Sequence, residues 1–253
     1  MPGVNITNKH MTYKTNNKFI IYNINTIIRI YLNINTIYMN LFSSLFHYVM
    51  ATVSKYNIDE SHSVGHAMNC LYYSNQIFEM EVKQNPLIKN QEHIIYVSAA
   101  LHDMCDRKYM DKEEGLQNIT KFIDSLKDQN GPLLKNDDKY VVKNIISTMS
   151  YSHVKTFGFP NLGKYQTAYN IVREADLLCA YDFDRCMLYN MYQLNGNMEE
   201  SFDEAESLFQ KRMFKHNDDG LFLTQYSILN YQSMELQTKQ RIEHWRKMLK
   251  KTK

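Results

Sequence analysis

Apolar residues recur at helical spacing along most of the chain. Phe42, Leu45, Phe46 and Val49 follow the offsets of one helix face, which predicts a helix from Met39 onward. The polar run Asn57-Ile58-Asp59-Glu60-Ser61 ends it. A second helix is expected over about Val64 to Val82, with Met68, Leu71 and Phe78 toward the core, followed by a loop from Pro86 to Gln91. From Ile94 to Leu101 the chain is apolar on every side. A strand also suits so short a run, but Ala99 and Ala100 favour helix, and a helix buried all round belongs at the centre of a bundle. Further helices are expected over about Lys112 to Lys127, Asn136 to Ser150, Tyr165 to Leu194, Met198 to Phe214 and Leu221 to Lys250. Gly131-Pro132, the Phe157 to Asn161 loop and the His216 to Gly220 loop supply the breaks. With no repeat and no long linker, residues 39–253 read as one all-α helical bundle domain.

Residues 1–38 differ in kind. They are mainly Asn, Ile, Tyr, Thr and Lys, and the first 58 residues hold five Lys/Arg and no carboxylate before Asp59. Two readings stay open: upstream sequence read through into a later start at Met39 or Met50, or a weakly β-forming or poorly ordered extension. A membrane-spanning helix needs about 20 predominantly apolar residues, and asparagines at 23, 25, 33 and 35 with Arg29 between them argue against one. No small-residue cleavage site marks a signal peptide.

Composition narrows the class further. Eight glycines and four prolines in 253 residues are few for a turn-rich β architecture. A net charge of +2 makes no global case for a nucleic-acid partner. The four cysteines, Cys70, Cys105, Cys179 and Cys186, lack a C-x-x-C spacing, which argues against a disulfide scaffold or a cysteine zinc site and for a reducing, intracellular and cytoplasmic setting. Cys179 and Cys186, seven apart on one expected helix, read as small core hydrophobes.

The residues with the strongest claim to chemistry are His62, His66, the adjacent pair His102-Asp103, and Asp176 in Arg173-Glu174-Ala175-Asp176. Imidazoles and carboxylates from separate helices can converge on one divalent ion in a bundle core. Such a mixed nitrogen and oxygen set suits Mn²⁺, Mg²⁺, Fe²⁺, Co²⁺, Ni²⁺ or Zn²⁺ without selecting one. An Asp directly after an eight-residue apolar run also needs a partner, because an unpaired buried carboxylate is heavily penalised.

The order His66, His102-Asp103, Asp176, with Ser61-His62 before it and Asp106-Arg107-Lys108-Tyr109 after the pair, resembles the HD-domain superfamily of metal-dependent phosphohydrolases. The resemblance covers about Asp59 to Tyr189. It implies that His66, His102, Asp103 and Asp176 are the metal ligands, with His62 the alternative to His66. It implies a small phosphorylated substrate, a nucleotide above all, cleaved by metal-activated water. Asp106, expected one helical turn beyond His102, and His62 are the candidate proton-transfer groups. Arg107, Lys108 and Lys155 are the candidate phosphate contacts, and Glu174 reads as an outer or surface group. Two positions depart from the pattern: Leu177 and Cys179 stand where the resembling subgroup commonly has Arg and Asp. The rival reading is therefore a catalytically weak nucleotide- or metal-binding module. The Asn, Ile, Tyr and Lys bias is similar to that of an A/T-rich genome such as a giant DNA virus's.

Overall fold

The computed structural model describes residues 40–128 and 131–250. The calls on residues 1–38, extension or upstream sequence, lie outside these. The chain divides into two compact units, 1–44 and 45–253; of the first only 40–44 are described, and they are helical. Everything below concerns the second unit.

The expected all-α class is realised. Helix α1 covers residues up to 56, followed by α2 (Val64–Gln84), α3 (Glu92–Leu101), α4 (Lys112–Ser125), α5 (Asn136–Thr148), α6 (Tyr151–Phe157), α7 (Gln166–Cys179), α8 (Phe183–Gln193), α9 (Met198–Lys211) and α10 (Gln225–Met248). The only sheet among the described residues is a two-residue ladder of Lys127–Asp128 against Gly131–Pro132. No helix of the described residues is long and apolar enough to cross a membrane.

Helix α3 lies at the centre, packed by α2, α5 and α7, and all of Ile94 to Leu101 is buried, as an apolar run without a polar face requires. A second apolar cluster, built on Phe183, Met187, Phe202, Phe209 and Ile242, ties α8 and α9 to α10. Gly115 lets α4 approach the loop after α3: a Cβ there would sit 2.6 Å from Cβ of Cys105.

Three expectations fail, each for a local reason. The helix expected from Tyr165 to Leu194 breaks at Ala180–Asp182, where Asp182 caps α8 by accepting from the Arg185 amide. Thr238 fixes this turn from α10 by donating to the Tyr181 carbonyl at 2.6 Å. Cys179 and Cys186 therefore do not share a helix face. The Asn136 to Ser150 helix ends at Thr148, and Ser150 caps a separate α6. Met68 is exposed rather than core, because the inward stripe of α2 is His66, Cys70, Ser74 and Ile77. Phe78 is buried as expected, but His66 and Ser74 on the same face are polar, so apolar periodicity alone does not mark its first turns.

His216, in the loop before α10, is fully buried among Tyr151, Tyr181 and Phe222. Burial pushes its imidazole down to about 3. Above about pH 6.5 the ring is neutral in folded and unfolded chains alike; below it only the unfolded chain takes up the proton, which costs about 1.4 kcal/mol of stability per pH unit. Denaturant titrations between pH 6.5 and 4 are expected to show that slope, and His216→Phe is expected to reduce it by about one proton's worth. An unchanged slope in the variant would place the titration elsewhere.

Candidate metal centre

Four of the sequence-predicted groups meet at one point. His66 sits in the first turn of α2, His102 caps the C-terminus of α3 with Asp103 next to it, and Asp176 lies in the last turn of α7. The Nε2 atoms of His66 and His102 are 3.1 Å apart. Asp103 Oδ2 lies 3.2 Å from His66 Nε2 and 3.3 Å from His102 Nε2. Asp176 Oδ1 lies 3.3 Å and 3.7 Å from the same two nitrogens. The imidazoles form the floor and the carboxylates, at 18% and 28% side-chain exposure, face outward.

Charge at this point is strongly directed. Burial by itself would raise both carboxyls, yet the two imidazoles hold Asp103 well below the usual carboxylate range and lower Asp176 as well. Conversely, burial opposes protonation of His66 and His102, and the carboxylates raise both above their ordinary values. Two nitrogens 3.1 Å apart, each with an oxygen of both carboxylates within 3.7 Å, form a pocket for positive charge.

The donor chemistry fits a divalent ion at His102. Its Nδ1 donates to the Ala99 carbonyl at 2.9 Å, which leaves the Nε2 lone pair aimed into the cluster. At His66 the arrangement is contested, because Arg185 Nη1 contacts Nδ1. A guanidinium only donates, so this contact puts the ring proton on Nε2. A cation at Nε2 requires that proton on Nδ1, and Arg185 must then turn toward the Ser61 carbonyl oxygen, 3.3 Å from the same Nη1.

The cluster opens into a cavity of about 670 Å³. Arg107, Lys108, Lys112, Arg185 and Arg212 bring five cationic side chains to its lining, Asp106 and Asp182 add two carboxylates to those of Asp103 and Asp176, and Tyr151, Phe157 and Tyr189 bring aromatic rings. Of the expected phosphate contacts, Arg107 and Lys108 line this cavity. Lys155 instead pairs with Asp219 at 3.1 Å and is not part of the lining.

His62 also faces the cavity. Its Nε2 lies 3.2 Å from Lys108 Nζ, which can only donate, so Nε2 accepts and Nδ1 carries the proton. That Nδ1 lies 2.7 Å from Ser61 Oγ and 3.0 Å from Tyr109 Oη, and both hydroxyls donate to buried Asp59. Asp59 thereby fixes the orientation of His62, and it is itself lowered: burial opposes this, but bonds from His62, Ser61 and Tyr109 prevail.

Asp106 reaches the cavity differently from expectation. The helix stops at Leu101, so Asp106 stands on a loop of consecutive turns rather than one turn up a helix. Its Oδ1 accepts from the Lys108 amide at 2.9 Å and its Oδ2 lies 3.4 Å from Lys108 Nζ.

Sequence reasoning missed Cys70, Arg185 and Arg212. Cys70 lies one helical turn after His66 and its Sγ is 3.6 Å from His66 Nε2; the i to i+4 spacing was the available signal. Arg185 falls within the segment expected as one helix from Tyr165 to Leu194, and only the break at Ala180–Asp182 turns it into the site. Arg212 follows α9, with no local cue. Glu174, two residues before Asp176, is fully buried rather than at the surface, and it accepts from Thr224 N, Thr224 Oγ1 and Leu223 N. The C-terminal basic residues Arg241 and Arg246 pair with Asp184 and with Glu206 and Glu243. Compared with known proteins, the chain matches no family model, no curated protein and no solved structure.

Proposed function

We propose that the chain is a metal-dependent phosphohydrolase of the HD-domain type, acting on a small phosphorylated substrate, a nucleotide above all. The observation that supports this best is the convergence of His66, His102, Asp103 and Asp176 at the floor of a cavity that also carries five Lys and Arg side chains. A divalent ion held by these four residues would supply a water of lowered pKa and polarise a phosphoryl oxygen. Everything else falls to the chain's own side chains. Arg107, Lys108, Lys112 and Arg212 attract and orient phosphate oxygens. The cavity volume is of the size that small-molecule sites take, about 300 to 1,000 Å³, and Tyr189, Tyr151 and Phe157 offer ring faces against which a base can stack. His62 holds an acceptor Nε2 toward this space, and Asp106 holds a carboxylate there; these are the groups proposed to move protons.

A second reading, a catalytically weak nucleotide- or metal-binding module, draws on a specific observation. Leu177 lines the cavity where the resembling subgroup commonly has Arg, and Cys179 is buried behind the cluster in place of Asp. A screen of nucleotides with Mn²⁺, Mg²⁺, Co²⁺ or Ni²⁺ separates the two. Release of phosphate or pyrophosphate supports the hydrolase; binding without release under all four ions supports the module.

Asp106→Asn is a sharper probe. The amide keeps an oxygen to accept from the Lys108 backbone but cannot exchange a proton, so metal content is expected to stay unchanged while turnover falls about 10²-fold or more. Unchanged kcat would assign Asp106 a purely structural part; loss of metal would place it among the ligands.

A further inference from the structure

The stripe of α2 that carries His66 also carries Cys70, and that thiol is placed where a fifth donor belongs. Cys70 Sγ lies 3.6 Å from His66 Nε2 and 3.9 Å from His102 Nε2. The ligand atoms of His66, Cys70, His102 and Asp176 all fall within 4.8 Å of one another. With metal–nitrogen and metal–sulfur bonds of about 2.05 and 2.3 Å, neighbouring donors around one ion stand about 2.9 to 3.8 Å apart in four- to six-coordinate geometries. The observed separations, 3.1 Å for nitrogen to nitrogen and 3.6 and 3.9 Å for nitrogen to sulfur, reach from within that range to just beyond its upper end.

Cys70 is also fixed from behind. Its Sγ lies 3.5 Å from Cys179 Sγ, so the residue that replaces Asp in the resembling pattern packs directly on this sulfur. Both thiols are buried, Cys70 at 1% exposure, while Asp103 and Asp176 face the cavity. The cluster therefore has sulfur on its buried side, next to the imidazoles, and oxygen at its mouth.

We propose that Cys70 is a metal ligand and that its sulfur biases the site toward softer ions, Zn²⁺ and Co²⁺ ahead of Mg²⁺ or Mn²⁺. This rests on the reading of the cluster as a metal centre. Thiolates favour the softer ions, whereas carboxylates and water suit Mg²⁺ and Mn²⁺. Binding forms a metal–sulfur bond and releases the thiol proton to solvent, so no oxidant or reductant enters. Cys179 supports the sulfur without coordinating.

The test is Co²⁺ added to the full chain, read by near-ultraviolet absorption and by elemental analysis. Wild type and Cys179→Ser are expected to show an intense thiolate-to-cobalt charge-transfer band. Cys70→Ser is expected to lose the band while keeping about one Co²⁺ per chain, and its preference for Zn²⁺ over Mn²⁺ is expected to fall about 10-fold or more. Bound Co²⁺ without the band in wild type overturns the assignment, whether or not the variants fold. A wild-type chain that takes up no Co²⁺ or Zn²⁺ at all overturns the metal-centre reading and this inference with it.

Discussion

Asp103→Ala and His102→Ala are each expected to strip the divalent ion from the purified chain, with affinity falling by more than about 10²-fold, beyond what loss of an outer-shell partner typically costs. Asp103 Oδ2 stands within 3.3 Å of both imidazole nitrogens, so its removal deletes an oxygen donor and half of the negative charge that draws a cation to this point. Removing His102 deletes the one nitrogen already held in the metal-ready tautomer by its bond to Ala99. Any metal-dependent turnover should fall with the ion. The His102 variant also leaves Asp103 and Asp176 facing each other with one imidazole between them, so it is expected to melt lower than wild type at neutral pH. Elemental analysis giving equal metal in wild type and both variants would remove the basis of the site.

The largest expected effect on stability comes from a pair outside the metal cluster. Arg173 and Glu174 are both fully buried, joined by an Nη2 to Oε1 contact of 3.1 Å. Glu174 also takes three hydrogen bonds from Leu223 and Thr224 at the start of α10, and Arg173 Nη2 donates to the Leu221 carbonyl at 2.6 Å. Burial disfavours the charge on each, raising Glu174 and lowering Arg173, and each is the other's main compensation. Glu174→Ala leaves a buried guanidinium without its counter-charge, a change that costs about 3 to 5 kcal/mol. For a chain of this size that is a fall in Tm on the order of 10 °C. Because Asp176 lies two residues on in α7, weaker metal binding is expected alongside. A melting temperature within a degree of wild type would show that Arg173 finds another acceptor.

His66, His102, Asp103 and Asp176 cluster, while two residues read beside them stand elsewhere than helical spacing and loop position suggest. Asp106 reaches the cavity on a loop, because the chain leaves the helix at Leu101, and Lys155 is drawn to Asp219 instead of the cavity. Arg185 carried no sign of its role while residues 165–194 were read as one helix. Asp182 before Phe183 was the available cue, since a short side-chain acceptor there can cap a new helix.

The sequence by itself determined what depends on short spacings. Apolar periodicity marked most helices, and the unbroken run Ile94 to Leu101 marked the central one, because a helix without a polar face must be covered on all sides. Tertiary structure alone decided what depends on the angles between helices. Whether α2, α3 and α7 bring His66, His102 and Asp176 to one point is set by their packing. So is the placement of the Cys70 and Cys179 sulfurs 3.5 Å apart across 109 residues of sequence. The start of the inward face of α2 was hidden for the same reason: His66 and Cys70 are buried against His102 and Cys179, partners on other helices that no local pattern records.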